Sequence, residues 1–196
     1  MYRNNSTFNI RMTVYCALFT AFIIVGGYMS IPIPIGPVPI ALVDFFVMLT
    51  GMFLGLKYGL ISIILYLALG AIGLPVFALG TSGLAVLFGP RGGFLFGFLL
   101  MVACIGFITD KMKPTVTTHL IALIAGNILL YLAGVPWLKV VMNVSWPVAI
   151  AMGVTPFMVG TVIKIAVAVT LGRVLLPQFK QRMVPFSVQQ TKGGDE

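Results

Sequence analysis

Nearly all the charge in this chain is confined to the borders of six apolar runs, which cover residues 12–29, 41–56, 58–73, 92–109, 115–133 and 156–175. Runs of roughly 16 to 20 residues are close to the minimum that crosses a hydrocarbon core of about 30 Å as helix. With 60% hydrophobic and only 8% charged residues, the chain has too little polar surface to coat a water-soluble globule. The pattern predicts an all-α integral membrane protein, a compact bundle of six transmembrane helices. It forms one domain over residues 1–176, followed by a polar tail over residues 177–196.

The net charge of +8 would point to nucleic acid in a soluble domain. Here the basic residues sit mostly at the ends of the apolar runs, where the anionic inner leaflet accounts for them, and no nucleic-acid partner is expected. With a cytoplasmic N-terminus, Arg3, Arg11, Lys57, Lys111, Lys113, Arg173, Lys180, Arg182 and Lys192 fall inside, against Arg91, Lys139 and Lys164 outside. This asymmetry predicts that both termini are cytoplasmic in a multi-pass protein of the cell membrane.

Two segments interrupt the apolar runs in ways that suggest a pocket at the outer face. Residues 30–40, SIPIPIGPVPI, carry four prolines, which forbid a helix and favour a stiff, extended strap suited to cover a membrane-embedded site. Residues 67–98 read as helix, glycine-rich bend and helix, with Arg91 at the mouth of the second helix, where a lone cation is costly unless something anionic meets it. This bend is the expected lip of the pocket. The stretch 134–155, with Trp137 and Trp146, reads as an interfacial loop with a short helix, and both tryptophans suit a headgroup belt.

Few other residues invite a chemical role. Cys16 and Cys104 lie singly in apolar runs and read as small buried hydrophobes. His119, the one histidine, reads as an interfacial residue near a helix end, and no metal or cofactor is expected. Asn127 is an amide at membrane depth and must find a partner on a neighbouring helix or on a polar ligand. Ala17 and Ala21 have the four-residue spacing of small residues that lets another membrane helix come close.

Pro37-Val38-Pro39-Ile40, the run from Gly70 through Leu74-Pro75-Val76-Phe77-Ala78, Gly89-Pro90 with Gly92-Gly93, and Pro156-Phe157 with Gly160 and Lys164 together resemble the biotin-specific BioY family. Members of this family are the substrate-binding subunits of energy-coupling-factor transporters, and the resemblance covers residues 11–173. It implies a six-helix bundle that captures biotin at its outer face and delivers it inward with a transmembrane coupling subunit and paired cytoplasmic ATPases. Ala17 and Ala21 would then meet the coupling subunit. The chain itself has no G-x-x-x-x-G-K-[ST] loop, so ATP hydrolysis would belong to the partners.

The departures from the family pattern are specific. An acidic residue common three positions before the lysine of the last helix is Thr161 here, the usual Gly-Pro-Thr-Gly-Gly reads Gly-Pro-Arg-Gly-Gly with Arg91, and the second run opens Ala41-Leu42-Val43-Asp44 in place of Thr and Gln. Asp44, Arg91 and Lys164 fall at one membrane level, so Asp44 is expected to pair with Lys164 in place of the missing acid, leaving Arg91 for a carboxylate. The candidate substrate-binding residues are Asp44, Phe77, Gly83, Arg91, Asn127, Thr161 and Lys164.

Two other readings compete. A subunit for another small vitamin would share the fold but lack the Gly-Leu-Pro-Val-Phe-Ala run. A membrane-embedded lipid-modifying enzyme would need a nucleophile with its base, a metal cluster or paired carboxylates. The chain offers one histidine, and Asp44 and Asp110 are expected at opposite ends of the membrane.

Overall fold

The structure, a computed structural model, describes residues 10–34 and 36–183, apart from the side chains of residues 180–183. Arg3, Lys192, the tail beyond residue 183 and the side chains of Lys180 and Arg182 lie outside the described residues. Helix α1 is Ile10–Tyr28, α2 Val43–Ala71, α3 Leu84–Phe88, α4 Gly92–Lys111, α5 Val116–Met142, α6 Trp146–Gly153 and α7 Met158–Met183. Strands β1 (Ser30–Ile31) and β2 (Ile40–Ala41) pair antiparallel, and single 3₁₀ turns occupy Ala78–Gly80 and Thr155–Phe157. Among the described residues, five stretches are long and apolar enough to cross a membrane: Ile10–Tyr28, Val43–Ala71, Gly92–Lys111, Val116–Met142 and Trp146–Phe179.

The second of these stretches is folded on itself. Gly55 has φ 70° and ψ −167°, a conformation that L side chains rarely adopt. Beyond it the chain reverses: a Cβ on Gly59 would lie 3.6 Å from the Thr50 carbonyl oxygen and 3.7 Å from the Gly51 Cα. Eight residues of continuous helix would hold those positions about 12 Å apart. The two arms correspond to the expected second and third runs, but the turn falls at Gly55 instead of Lys57. The first arm, residues 43–54, is about 18 Å long, well short of a hydrocarbon core of about 30 Å.

Asp110 closes this turn from α4. Its Oδ2 accepts from the Leu56 N–H at 2.9 Å, satisfying one of the orphan donors that open the second arm. A Cβ on Gly55 would collide with the same carboxylate, and one on Gly106 would collide with the Gly55–Leu56 backbone, so small residues on both sides set the approach. The sequence suggested that α4 stops before Asp110. It continues to Lys111, with that carboxylate holding the Leu56 N–H at the exposed end of the bundle.

Two other boundaries differ from expectation. Helix α5 passes through Pro136 to Met142 instead of ending near Ala133. A membrane helix can carry proline because neighbouring groups re-satisfy the freed carbonyl. Trp137, expected at the headgroup level, instead donates its indole N–H to the Gly89 carbonyl at 2.9 Å and packs on Gly92 and Gly93. Helix α7 likewise runs to Met183, into the expected tail.

Helix α4 packs against both α2 and α5. At its interface with α5, Gly97 faces Leu130, and Gly126 faces Ile105 and Met101, the small-residue packing by which membrane helices approach without a hydrophobic drive between them. Helix α1 runs parallel to the second arm of α2, with Thr20 donating to the Ser62 carbonyl at 3.1 Å and the Cys16 thiol to the Tyr58 carbonyl at 3.5 Å. Phe179 of α7 packs on Tyr15, Phe19 and Phe53 at the end of the bundle marked by Asp110. At that end His119 is buried, 3% exposed, instead of interfacial, and lines a second cavity with Thr115, Arg173 and Leu176.

Candidate functional site

The opposite end of the bundle holds a cavity with about 670 Å³ of open space, counting its mouth. Its walls have the usual makeup of small-molecule sites, apolar and aromatic side chains with a few convergent polar groups. Val38 and Pro39 of the proline-rich strap, Asp44 and Tyr66 of α2, Phe77 and Ala78, Arg91, Phe94 and Phe98 of α4, Tyr131 of α5, Phe157 and Lys164 are among its lining residues.

Phe77 reaches the cavity because of a glycine seven residues earlier. Its ring fills the place where a Gly70 side chain would stand and meets Tyr66 edge to face, centroids 5.4 Å apart. The loop that carries it is fixed at several points. Phe77 N–H donates to the Thr81 carbonyl at 3.0 Å, the Tyr28 hydroxyl to the Pro75 carbonyl at 2.6 Å, and the Gly83 N–H to the Gly70 carbonyl at 2.7 Å. Gly83 therefore serves as the turn before α3, with φ 90°, and is not among the residues lining the cavity.

Asp44 and Lys164 meet across 120 residues of sequence. The Lys164 ammonium donates to Asp44 Oδ1 at 2.7 Å, to Oδ2 at 3.0 Å and to the Ala41 carbonyl at 2.6 Å, three acceptor atoms for its three N–H groups. The two side chains are 11% and 17% exposed, so each charge depends on the other for compensation. The expected pair is present. Thr161, where the family pattern has an acid, is buried behind the wall, sharing a hydrogen bond of 2.9 Å with the Tyr131 hydroxyl.

Arg91 sits just before α4 and has no acidic partner among the described residues. Its Nε donates to the Pro37 carbonyl at 2.7 Å and its Nη1 to the Ala78 carbonyl at 3.4 Å, so one guanidinium ties the strap to the Phe77 loop across the cavity mouth. Burial lowers its pKa from the ordinary value, but a guanidinium starts so high that it remains charged at neutral pH. With one anion and two cations on the wall, the cavity has a net positive charge.

Asn127 is placed elsewhere. Its amide donates to the Leu123 carbonyl one turn back at 2.8 Å and to the Met48 sulfur at 3.6 Å, and it does not line the cavity. Of the seven residues singled out in the sequence, Asp44, Phe77, Arg91 and Lys164 converge on the wall, Thr161 stands behind it, and Gly83 and Asn127 fall outside. Tyr66, Tyr131, Phe94, Phe98 and Phe157 were missed. Tyr66 had a usable signal, since it precedes Gly70 by one helical turn and so shares the face that accommodates Phe77. Among the described residues, no three His, Cys, Asp or Glu side chains lie close enough to hold a metal ion.

The BioY family model matches residues 2–181. The chain belongs to the BioY family. Among its relatives is a biotin transporter BioY from Thermotoga maritima, 41% identical over 163 residues that cover 83% of this chain and 94% of the relative. Another is a biotin transporter BioY2 from Lactococcus lactis subsp. cremoris, 39% identical over 78% of this chain and 84% of the relative. The fold matches the crystal structure at 2.1 Å of the S-component for biotin from an ECF-type ABC transporter, with a TM-score of 0.80 at 33% identity, covering 96% of this chain and 98% of that one. This BioY-family chain is thus a multi-pass membrane protein of a transporter family, built on the S-component fold.

Proposed function

We propose that this chain takes up biotin, binding it in the cavity at the end of the bundle opposite Asp110. The observation that carries the reading is the wall itself: an aromatic and aliphatic pocket with a few polar groups and a net positive charge fits a small bicycle with a polar ureido edge and a chain bearing one carboxylate. Relatives named as biotin transporters over most of the chain length, and the biotin S-component of matching fold, support it. Arg91 is the carboxylate partner, since its planar fork now donates only to neutral backbone carbonyls, which a carboxylate can replace with stronger charge-assisted bonds. The bicyclic ring lies between Phe77 and the Asp44–Lys164 pair, and the strap around Val38 and Pro39 is the lid.

The membrane arrangement follows the charges. Arg11, Lys57, Lys111, Lys113 and Arg173 belong to the end marked by Asp110, whereas Arg91, Lys139 and Lys164 belong to the cavity half. By the positive-inside rule the Asp110 end is cytoplasmic, with both termini on that side and the cavity facing out. On this reading the two arms of α2 count as separate segments of a six-helix bundle in the cell membrane. ATP hydrolysis belongs to partner ATPases, and a transmembrane coupling subunit docks on the Ala17–Ala21 face of α1, where both alanines are exposed. No cofactor takes part.

Equilibrium binding of radiolabelled biotin to the purified chain, with other vitamins as competitors, tests the reading. Saturable binding displaced by unlabelled biotin alone is expected. Displacement by a different vitamin at lower concentration would transfer the site to that ligand.

A further inference from the structure

The cavity wall also holds a buried tyrosine hydroxyl. Tyr66 is 0% exposed and lines the cavity, and its hydroxyl has no hydrogen-bond partner among the described residues. Buried hydroxyls are nearly always paired, because an unmade hydrogen bond in an apolar setting costs the full desolvation of the group. Its neighbours explain the isolation. The ring is held edge to face against Phe77, which is itself fixed in the space left by Gly70, so the tyrosine cannot turn towards a polar partner without displacing the packed loop.

The polar groups around the cavity then divide by chemistry. Arg91 offers donors at the mouth, suited to an anionic acceptor. The Lys164 ammonium is already used by three acceptor atoms, Asp44 Oδ1, Asp44 Oδ2 and the Ala41 carbonyl. The Tyr131 hydroxyl is engaged with Thr161. Asp44 can only accept. Behind the mouth, where Arg91 is set aside for an anion, a ligand with a neutral carbonyl on its ring therefore finds in the Tyr66 hydroxyl a donor with no partner among the described residues.

We infer that Tyr66 is a specificity-determining residue whose buried hydroxyl donates to the ureido carbonyl oxygen of the bound ring. The inference rests on the biotin reading of the same cavity. The carbonyl is preferred to the ring sulfur as acceptor because a thioether accepts only weakly. The ring would thus be discriminated by a hydrogen bond made only when ligand is present, in a pocket otherwise shaped by Phe77, Phe94 and Phe98. A site built around an unpaired donor rejects a ligand that lacks the acceptor more strongly than an apolar wall could.

The test compares wild type with Tyr66→Phe, which keeps the ring and its contact with Phe77. Biotin affinity and the affinity of the analogue with sulfur in place of the ureido oxygen are measured for both proteins, with thermal unfolding of each in the absence of ligand. Biotin binding should weaken roughly three- to tenfold in Tyr66→Phe, the worth of one neutral hydrogen bond. Wild type should prefer biotin over the thione, and the substitution should remove most of that preference. The unfolding temperature without ligand should stay level or rise, since an unpaired buried hydroxyl has been removed. An unchanged preference ratio, or equal weakening of both ligands with a lowered unfolding temperature, would show that Tyr66 only packs and overturn the inference. If wild type binds no biotin at all, the parent reading falls and this one with it; if wild type binds biotin and the ratio is unmoved, only this one falls.

Discussion

The Phe77 ring occupies the space where Gly70 has no side chain, so a residue seven positions earlier on α2 determines how the cavity wall is shaped. The run from Gly70 to Phe77 thus has a mechanical meaning: the helix must end, the loop must turn back, and its aromatic must seat in the gap left on the last helical turn. Gly70→Ala should drive the ring towards the cavity or displace the loop. Overpacking of this kind costs about 1–3 kcal/mol. Thermal unfolding is expected to shift down, and biotin binding to fall more than tenfold. Phe77→Leu in the same background should recover part of the stability, because a smaller side chain relieves the collision.

The Asp44–Lys164 pair should behave as a unit. Asp44→Asn leaves a buried ammonium without its counter-charge, a change that costs about 3 kcal/mol or more. Thr161 is one helical turn from Lys164, so Thr161→Asp in the Asp44→Asn background places the acid on the same helix as the lysine. The double variant is expected to unfold at a higher temperature than Asp44→Asn alone and to recover biotin binding. If Thr161→Asp worsens both quantities, the acid cannot be moved between helices.

Arg91 should decide how the ligand's charge is read. Wild type is expected to bind biotin at least tenfold more tightly than its methyl ester, because a charge-assisted pair is replaced by a weaker neutral contact. Arg91→Gln should abolish most of that preference. A preference that survives would move carboxylate recognition to another group. Competition binding with the two ligands on both proteins gives the answer directly.

Ala17 and Ala21 lie exposed on α1, beside Leu18 and Phe22, which are 44% and 40% exposed. Ala17→Trp or Ala21→Trp should leave biotin affinity within about twofold while preventing co-purification with the coupling subunit and stopping energised uptake, since a bulky ring holds a partner helix away. Loss of binding with assembly intact would make this an internal face.

Much of this architecture was legible because the bilayer imposes helix length and apolarity, and glycines and prolines punctuate what is left. The strap, the loop bearing Phe77 and the Asp44–Lys164 pair were all readable from the cost of irregular backbone and isolated charge in lipid. What could not be read was where a polar residue would turn. Asp110 lengthens its helix because a neighbouring turn needs an acceptor, Trp137 faces inward because Gly89 offers a carbonyl, and Asn127 donates its amide N–H one turn back on its own helix. Each depends on a partner distant in sequence or on a local bond that competes with the ligand. Periodicity, which is nearly uniform in an apolar helix, says little about either.

The reversal at Gly55 also bears on how the protein is made. An arm of about 18 Å cannot hold itself across about 30 Å of hydrocarbon, so it gains little from lipid on its own. It becomes stable at its depth only with the second arm beside it and the Asp110 carboxylate bound to Leu56. Asp110 is synthesised more than fifty residues after the turn it closes. The hairpin must therefore wait in the insertion machinery, or remain loosely placed, until α4 has emerged, and membrane entry and tertiary assembly of this part of the chain become a single event.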